Sequence, residues 1–443
     1  MSAYKPRTWV PDPIEKFIGA IADKTAVSTA DEIDQRIHEL VKRNRTIHEV
    51  DCFNLNPATN IINPKAEAVL GQGLGSRPSL GYPGDKYEMG LEAIEEIEVI
   101  ASQLTCEVFG AQYAEIRVGS GALANLYAFM ATCSPGDAII VPSPSIGGHI
   151  THHQAGAAGL YGLRIHSAAV NSEGYTVDLD RLREDAHKLS PRLITIGGSL
   201  NLFPHPIRQI REIADEVGAI VLFDAAHMSG MIAGHAWPHP LDEGAHLMTM
   251  STYKSLGGPA GGLVVTNDET LAKKLDVIAY PGLTANFDAS KSAALAISLL
   301  DWKVYGRSYA SMMASTAKAL AQALQDHDVP VYARDRGFTQ SHQFAIEATS
   351  YGGGQTAARQ LRHANILTCG IGLPIDSVKD DVNGLRLGTP EVVRFGMRPE
   401  DMAQLAQYTA AGLKAANNGD LQALARQVSE YRHNFTELHF IRS

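Results

Sequence analysis

The sequence predicts an α/β fold with a mostly parallel sheet, and three observations carry the prediction. Short apolar runs recur, "YAEIRV", "DAIIVPS", "RLITIGGS", "AIVLFDAAH", "HLMTMSTYKS" and "GGLVVTN", and read as strands covered on both faces. Helical stretches such as "GALANLYAFMATC" and "IRQIREIADEVG" separate several of them. The 443 residues are too many for one simple core, so two or more domains are expected.

The elements follow in order. Residues 1–50 are polar and mostly helical in pattern. In "TADEIDQRIHELVKRNRTIHEV", Ile33, Ile37, Leu40 and Val41 share about one helical face, with Thr29 and Asp31 as plausible caps. "NLNPATNIINPKAEAVLGQGLGSRPSLGYPGDKYEMG" is rich in Gly, Pro and Asn and reads as loop with a short helix inside it. Its "GQGLG" lacks a preceding strand, so it is a poor dinucleotide fingerprint. "LEAIEEIEVIASQLTCEVFG" is an amphipathic helix that opens the alternating section. From about residue 290 the pattern turns helical, and a smaller α+β section runs from about "VPVYARD" to the end. The expected organisation is an N-terminal helical arm (1–50), a large α/β domain (51–300), and a linking helix with a small C-terminal α+β domain (301–443).

Composition narrows the function classes. Charged residues are 19% and the hydrophobic set 45%, as in a globular chain. A net charge of −10 argues against nucleic acid or an anionic membrane as the main partner. Cys52, Cys106, Cys133 and Cys369 are far apart without CxxC spacing, so neither a zinc site nor a disulfide framework is expected. "MSAYKPRTWVPDPIEKF" has no apolar core of a signal peptide, and a cytoplasmic setting is expected.

Three unusual positions follow strands, where ligands sit in parallel α/β sheets. Ser120 and Gly121 follow "YAEIRV" and open a helix, whose free N–H groups and positive end attract phosphate. Asp224 ends "AIVLFD" after four apolar residues, so it is expected to be buried and to need a cationic or hydrogen-bonding partner. Lys254 follows "HLMTMSTY" and precedes the glycine-rich "SLGGPAGG". A phosphate cradle, a buried carboxylate and a lysine together suggest pyridoxal 5′-phosphate (PLP). The lysine forms the Schiff base, the cradle anchors the phosphate, and the aspartate pairs with the protonated pyridine nitrogen.

"GYPGDKY", "GGHITHH", "FDAAHMSGMIAG", "STYKSLGGPAGG" and "GLRLGTPEVVRFGM" resemble serine hydroxymethyltransferase motifs in order and spacing, over about residues 50 to 430. The resemblance implies a fold-type I, PLP-dependent enzyme, a dimer or a tetramer of dimers with sites shared between subunits. It implies that Lys254 carries the cofactor, that Asp224 holds the pyridine nitrogen, that His227 lies on the ring's phenolic-oxygen side, and that His149 stacks on the ring. Ser120 and Gly121 would bind the phosphate, helped by Tyr253 and by Gly282 from a second subunit, and Ser251 would also contact the cofactor. Arg386 would clamp the substrate carboxylate, a bidentate task suited to guanidinium. His152 and His153 invite a metal reading, which the stacking assignment of the motif argues against.

The departures bear on the reaction. Leu80 stands where the family has its acid–base glutamate, and Pro78 where it has a tyrosine. Tyr87 keeps the first residue of a tyrosine pair and Glu88 replaces the second. Ala122 replaces a phosphate-binding serine, Tyr253 a histidine and Ala260 an arginine, and "LTCGIGLP" replaces an asparagine-bearing loop that helps hold folate. Tetrahydrofolate use is therefore doubted, with Tyr87 and Glu88 as candidate proton carriers. The expected reaction is retro-aldol cleavage or hydroxymethyl transfer on a β-hydroxy-α-amino acid. Serine would give glycine, and α-methylserine alanine, with release of formaldehyde. A folate-dependent hydroxymethyltransferase, a threonine transaldolase and a silent PLP-binding homologue are the alternatives.

Overall fold

The computed structural model describes residues 3–171 and 175–443. Seven strands form its large sheet: β1 (Tyr113–Glu115), β2 (Ala138–Val141), β3 (Arg164–Ser167), β4 (Leu193–Gly197), β5 (Ile220–Asp224), β6 (Leu247–Ser251) and β7 (Gly262–Thr266). Their spatial order is β1-β7-β6-β5-β4-β2-β3. Neighbours pair parallel except β7, which runs antiparallel to both β6 and β1. The sheet is α/β and mostly parallel as expected; β7 is the exception that its apolar "GGLVVTN" could not announce. A buried strand reads alike in either direction.

Both faces of this sheet are covered, which is why its strands read as continuous apolar runs. Ile194, Ile196, Val221, Phe223, Met248 and Met250 enter one core, while Leu193, Leu222 and Leu247 enter the core on the opposite face. The alternation of side chains along a strand makes that division. The second face is closed by a helix (Gly121–Thr132), whose Ala124, Tyr127, Ala128 and Ala131 belong to the same core as Leu222.

A second, antiparallel sheet comprises β8 (Gln343–Glu347), β9 (Cys369–Ile371) and β10 (Gly384–Gly388), with β10 in the middle. One helix of 38 residues, Ala289–Asp326, joins the two regions. Its Leu295, Leu299, Trp302, Tyr309 and Met313 enter the core of the large sheet, and its Ala317, Leu320, Ala321 and Leu324 the core around the small one.

The arm forms two helices, Asp12–Val27 and Ala30–Arg45. Thr29 caps the second one in a reciprocal pair with Glu32, whereas Asp31 lies inside its first turn. The expected stripe exists but stays exposed: Ile37, Leu40 and Val41 are open to solvent, as are Ile14, Phe17 and Ile21 on the first helix. No helix among the described residues is long and apolar enough to cross a membrane.

Leu222 sits fully buried on the strand at the centre of the large sheet. Leu222→Ala removes apolar contacts that rigid neighbours cannot replace, so it should cost about 2–5 kcal/mol. Denaturant unfolding should show a lower midpoint at unchanged slope; a cost below about 1 kcal/mol would mean that this core can collapse around the gap.

Candidate active site

The chain ends of β4, β5 and β6, together with the turn after β1, converge on one cavity of about 140 Å³. It is lined by Ser120, Gly121 and His149, by Asp224 and His227, and by Ser251, Tyr253 and Lys254. Gly198, Ser199, Ala122, Asn125 and Ala226 complete the wall. Parallel strands place their carboxyl ends, and hence the loops that follow, on one edge, which is how positions far apart in sequence meet.

The period of two along each strand sorts the groups further. Asp224 pairs in register with Thr249, and Ser251 lies two residues on, so all three fall on the face covered by the Gly121–Thr132 helix. Asn125 of that helix donates to Asp224 Oδ2 at 3.1 Å, and Thr249 Oγ1 donates to Asn125 Oδ1 at 2.7 Å. Ser120 caps the helix, its Oγ accepting from Leu123 N at 3.2 Å. The other N–H groups of the first turn have no intrahelical partner. Gly121 leaves the approach open: a Cβ there would lie 2.7 Å from Ser251 Oγ. That is a cradle for an anion.

Asp224 is buried and accepts from His152 Nε2 at 2.8 Å and from Ala226 N at 3.0 Å. Burial alone pushes its carboxyl up; the hydrogen bonds from His152 and from the Ala226 N–H outweigh that and hold it below the usual carboxylate range.

Lys254 follows β6 by three residues, and the chain then doubles back, Gly257 N to Lys254 O at 2.9 Å and Gly258 N to Thr252 O at 2.7 Å. Gly257 makes this return at φ +66, with Arg394 packed where a side chain would go. The glycines after Lys254 therefore seat it in the cavity wall. Its Nζ is 3.2 Å from His227 Nε2, and Arg386 Nη1 reaches the same nitrogen at 3.3 Å. Two cationic donors make Nε2 the acceptor and leave the proton on Nδ1. That Nδ1 is buried without a partner among the described residues, and so is Arg386 Nε. Burial, Lys254 and Arg386 hold His227 neutral, well below the ordinary histidine range. Burial lowers Lys254 to about 8, against an opposing pull from Asp224.

Arg386, on β10, is held by the Ser199 carbonyl and lies 3.1 Å from Cys369 Sγ. His149 caps a short turn, its Nδ1 accepting from Thr151 N at 3.3 Å, and burial lowers its pKa. A flat ring bearing a phosphate, a ring nitrogen and an aldehyde would meet the helix cradle, Asp224 and Lys254, with His149 beside it and the unpartnered His227 Nδ1–H as a further donor. The residues present fit PLP.

Four expected site residues do not line this cavity: Arg386, which stands behind its wall against His227 and Ser199, and Tyr87, Gly282 and Glu88. Tyr87 is 81% exposed, Gly282 is exposed, and Glu88 lies beyond the short hairpin Gly81–Lys86 with Oε2 out of water and unpartnered among the described residues. In turn, sequence reasoning missed Asn125, Ser199 and Cys369. Only Asn125, polar within an otherwise apolar helix, carried a signal. A larger cavity, about 600 Å³, opens beside Arg117, but that guanidinium is already bound 2.6 Å from both Glu115 and Asp276 and offers an anion nothing.

The serine hydroxymethyltransferase family model matches residues 30–409. An alpha-methylserine aldolase of Ralstonia sp is 61% identical over 436 residues, covering 98% of this chain and 99% of that protein. One of Variovorax paradoxus is 61% identical over 440 residues, covering 99% of both chains. A serine hydroxymethyltransferase of Sulfolobus acidocaldarius is 34% identical over 408 residues, covering 92% of this chain and 94% of that one.

Held at about 8 by burial, against 10.5 for an ordinary lysine, the Lys254 amine should be half neutral near that pH. Capture of an aldehyde, trapped by borohydride and mapped to Lys254, should rise with pH and level off above about 8. A midpoint near the ordinary lysine value would contradict the burial argument.

Proposed function

From the premise that this chain belongs to the serine hydroxymethyltransferase family, whose members are PLP enzymes, we propose that it cleaves α-methylserine to alanine and formaldehyde without folate. The observation that carries this reading is the end-to-end similarity, 61% identical, to proteins named alpha-methylserine aldolase, against 34% for a serine hydroxymethyltransferase. Leu80 supports it: a pterin buried against that side chain would lose polar partners, at about 1–3 kcal/mol per unpaired group.

When bound, PLP supplies an electron-poor ring that accepts the electron pair left at Cα as the Cα–Cβ bond breaks. The residues divide the remaining tasks. Ser120, Gly121, Ser251 and Tyr253 would hold the phosphate. Asp224 would keep the ring nitrogen's proton, His149 would lie against the ring, and His227 would donate toward the phenolic oxygen. Lys254 would hold the cofactor through Nζ and, once the substrate amine has taken its place, would return a proton to Cα. Arg386 holds the substrate carboxylate against the Ser199 turn. Glu88 and Tyr87 move the β-hydroxyl proton. In this reading Tyr87, Glu88 and Gly282 serve the cavity of a second copy of the chain. The apolar faces of the 1–50 arm, whose two helices bury no residue, pack on that copy as well.

Formaldehyde release from α-methylserine by dialysed enzyme tests the reading. Turnover is expected without tetrahydrofolate; turnover that appears only on adding it would make the protein a hydroxymethyltransferase. Arg386→Lys keeps the charge and loses the planar fork. It should weaken amino-acid binding by about 1.5–3 kcal/mol, the range for hydrogen bonds to charged groups, with cofactor binding intact. Unchanged substrate affinity would remove Arg386 from the role.

A further inference from the structure

The histidines of "GGHITHH" occupy different positions. His149 lines the cavity, whereas His152 lies behind it with no exposed surface. His152 and His153 look like metal ligands in sequence, yet no group of three metal-binding side chains forms among the described residues. His152 Nε2 instead meets Asp224 Oδ2 at 2.8 Å. An ionised carboxylate can only accept, so Nε2 carries the hydrogen and the tautomer is set. The edge-on ring of Phe129, 5.6 Å away at 77°, holds the imidazole in that orientation.

The donors around Asp224 can be counted. Oδ2 receives His152 and Asn125, and Oδ1 receives the Ala226 N–H. A carboxylate has about four acceptor positions, so one is left without a donor among the described residues, on a residue that lines the cavity. Asn125 is itself committed: Nδ2 also donates to Thr151 Oγ1 at 2.9 Å, and its carbonyl is tied to Thr249. The amide is therefore shared, while His152 gives its Nε2 hydrogen to Asp224.

We propose that His152 is a positioning residue for the cofactor's ring nitrogen, acting through Asp224. Its Nε2–H holds Oδ2, so that the carboxylate stays ionised and turned to offer its remaining lone pair to the ring N–H. This rests on the placement of that nitrogen at Asp224 given above. Only a proton is at stake: without the His152 donor, the carboxylate becomes more basic, and the shared proton moves from the ring nitrogen toward the Asp224 oxygen. Of the hydrogen bonds that lower Asp224 against its own burial, the one from His152 is larger than that from the Ala226 N–H, which agrees with that direction.

The test is the NMR shift of the isotope-labelled pyridine nitrogen in PLP holoenzyme, with the cofactor's dissociation constant, for wild type, Asp224→Asn, His152→Phe and His152→Gln. His152→Phe keeps a planar ring and loses the donor. It should move the resonance toward unprotonated pyridine and weaken cofactor binding by roughly tenfold, the worth of about one hydrogen bond to a charged group. His152→Gln restores an N–H and should recover most of both. A wild-type resonance in folded His152→Phe overturns the proposal if Asp224→Asn does move the signal. If Asp224→Asn leaves it in place, the ring nitrogen is not at Asp224, and both readings fall. Should His152→Phe not fold, His152→Ala with added imidazole repeats the comparison. Imidazole should return the resonance toward wild type, and no response overturns the proposal.

Discussion

Charge taken out of water at one edge of a sheet is the constraint on which this molecule depends. Asp224, Lys254 and Arg386 are each at least 93% buried, at exposures of 1%, 7% and 6%. An isolated buried ion is too costly to keep, so each must be paired, solvated by protein dipoles or neutralised. The two cations share the neutral nitrogen of His227, and His342 behind them is held near 3 by burial and Arg386, so it adds no charge. One carboxylate against two cations leaves the cluster short of negative charge. A phosphate and an amino-acid carboxylate are ligands that such a cluster attracts, and a cationic ligand is one that it repels.

The sheet makes this arrangement affordable in backbone terms. β4 and β6 are buried along their length and β5 along all but its first residue, with their backbone groups paired to neighbours, so the strand ends have the free groups to offer. The helix behind Ser120 adds its own N-terminal N–H groups at the same edge. Binding groups therefore gather where the regular hydrogen bonding stops. The long helix fixes the distance between this edge and the small sheet that carries Arg386, because one rigid element packs into both cores.

A different ion pair governs the segment around Leu80. Lys86 and Glu98 meet at 2.7 Å, both nearly out of water, and Lys86 also donates to the Gly81 carbonyl at 2.9 Å. Ser79 donates to the same carboxylate. Breaking such a pair from one side leaves an unpaired buried charge, which is far more damaging than never having had it. The turn that carries Leu80 is thus pinned on both flanks. Tyr87, immediately after it, projects into solvent, a position that suits contact with another molecule better than chemistry within this chain.

The amino-acid sequence by itself marked six of the seven strands of the large sheet, missing the half-exposed β3, and it singled out Ser120, Gly121, Asp224 and Lys254. Each of these ends or follows a strand and breaks its apolar pattern, and that is a local property. The motif order also carried the family and its cofactor. What only the tertiary structure decided is who meets whom. His152 and Asp224 are 72 positions apart, Asn125 and Asp224 99, and their contact depends on strand register and on which face the helix covers. The antiparallel course of β7 was likewise invisible, since a strand buried on both faces reads the same in both directions. The exposure of the arm's apolar stripe was hidden for the opposite reason. Periodicity reports that a face is apolar, and only packing reports whether this chain covers it.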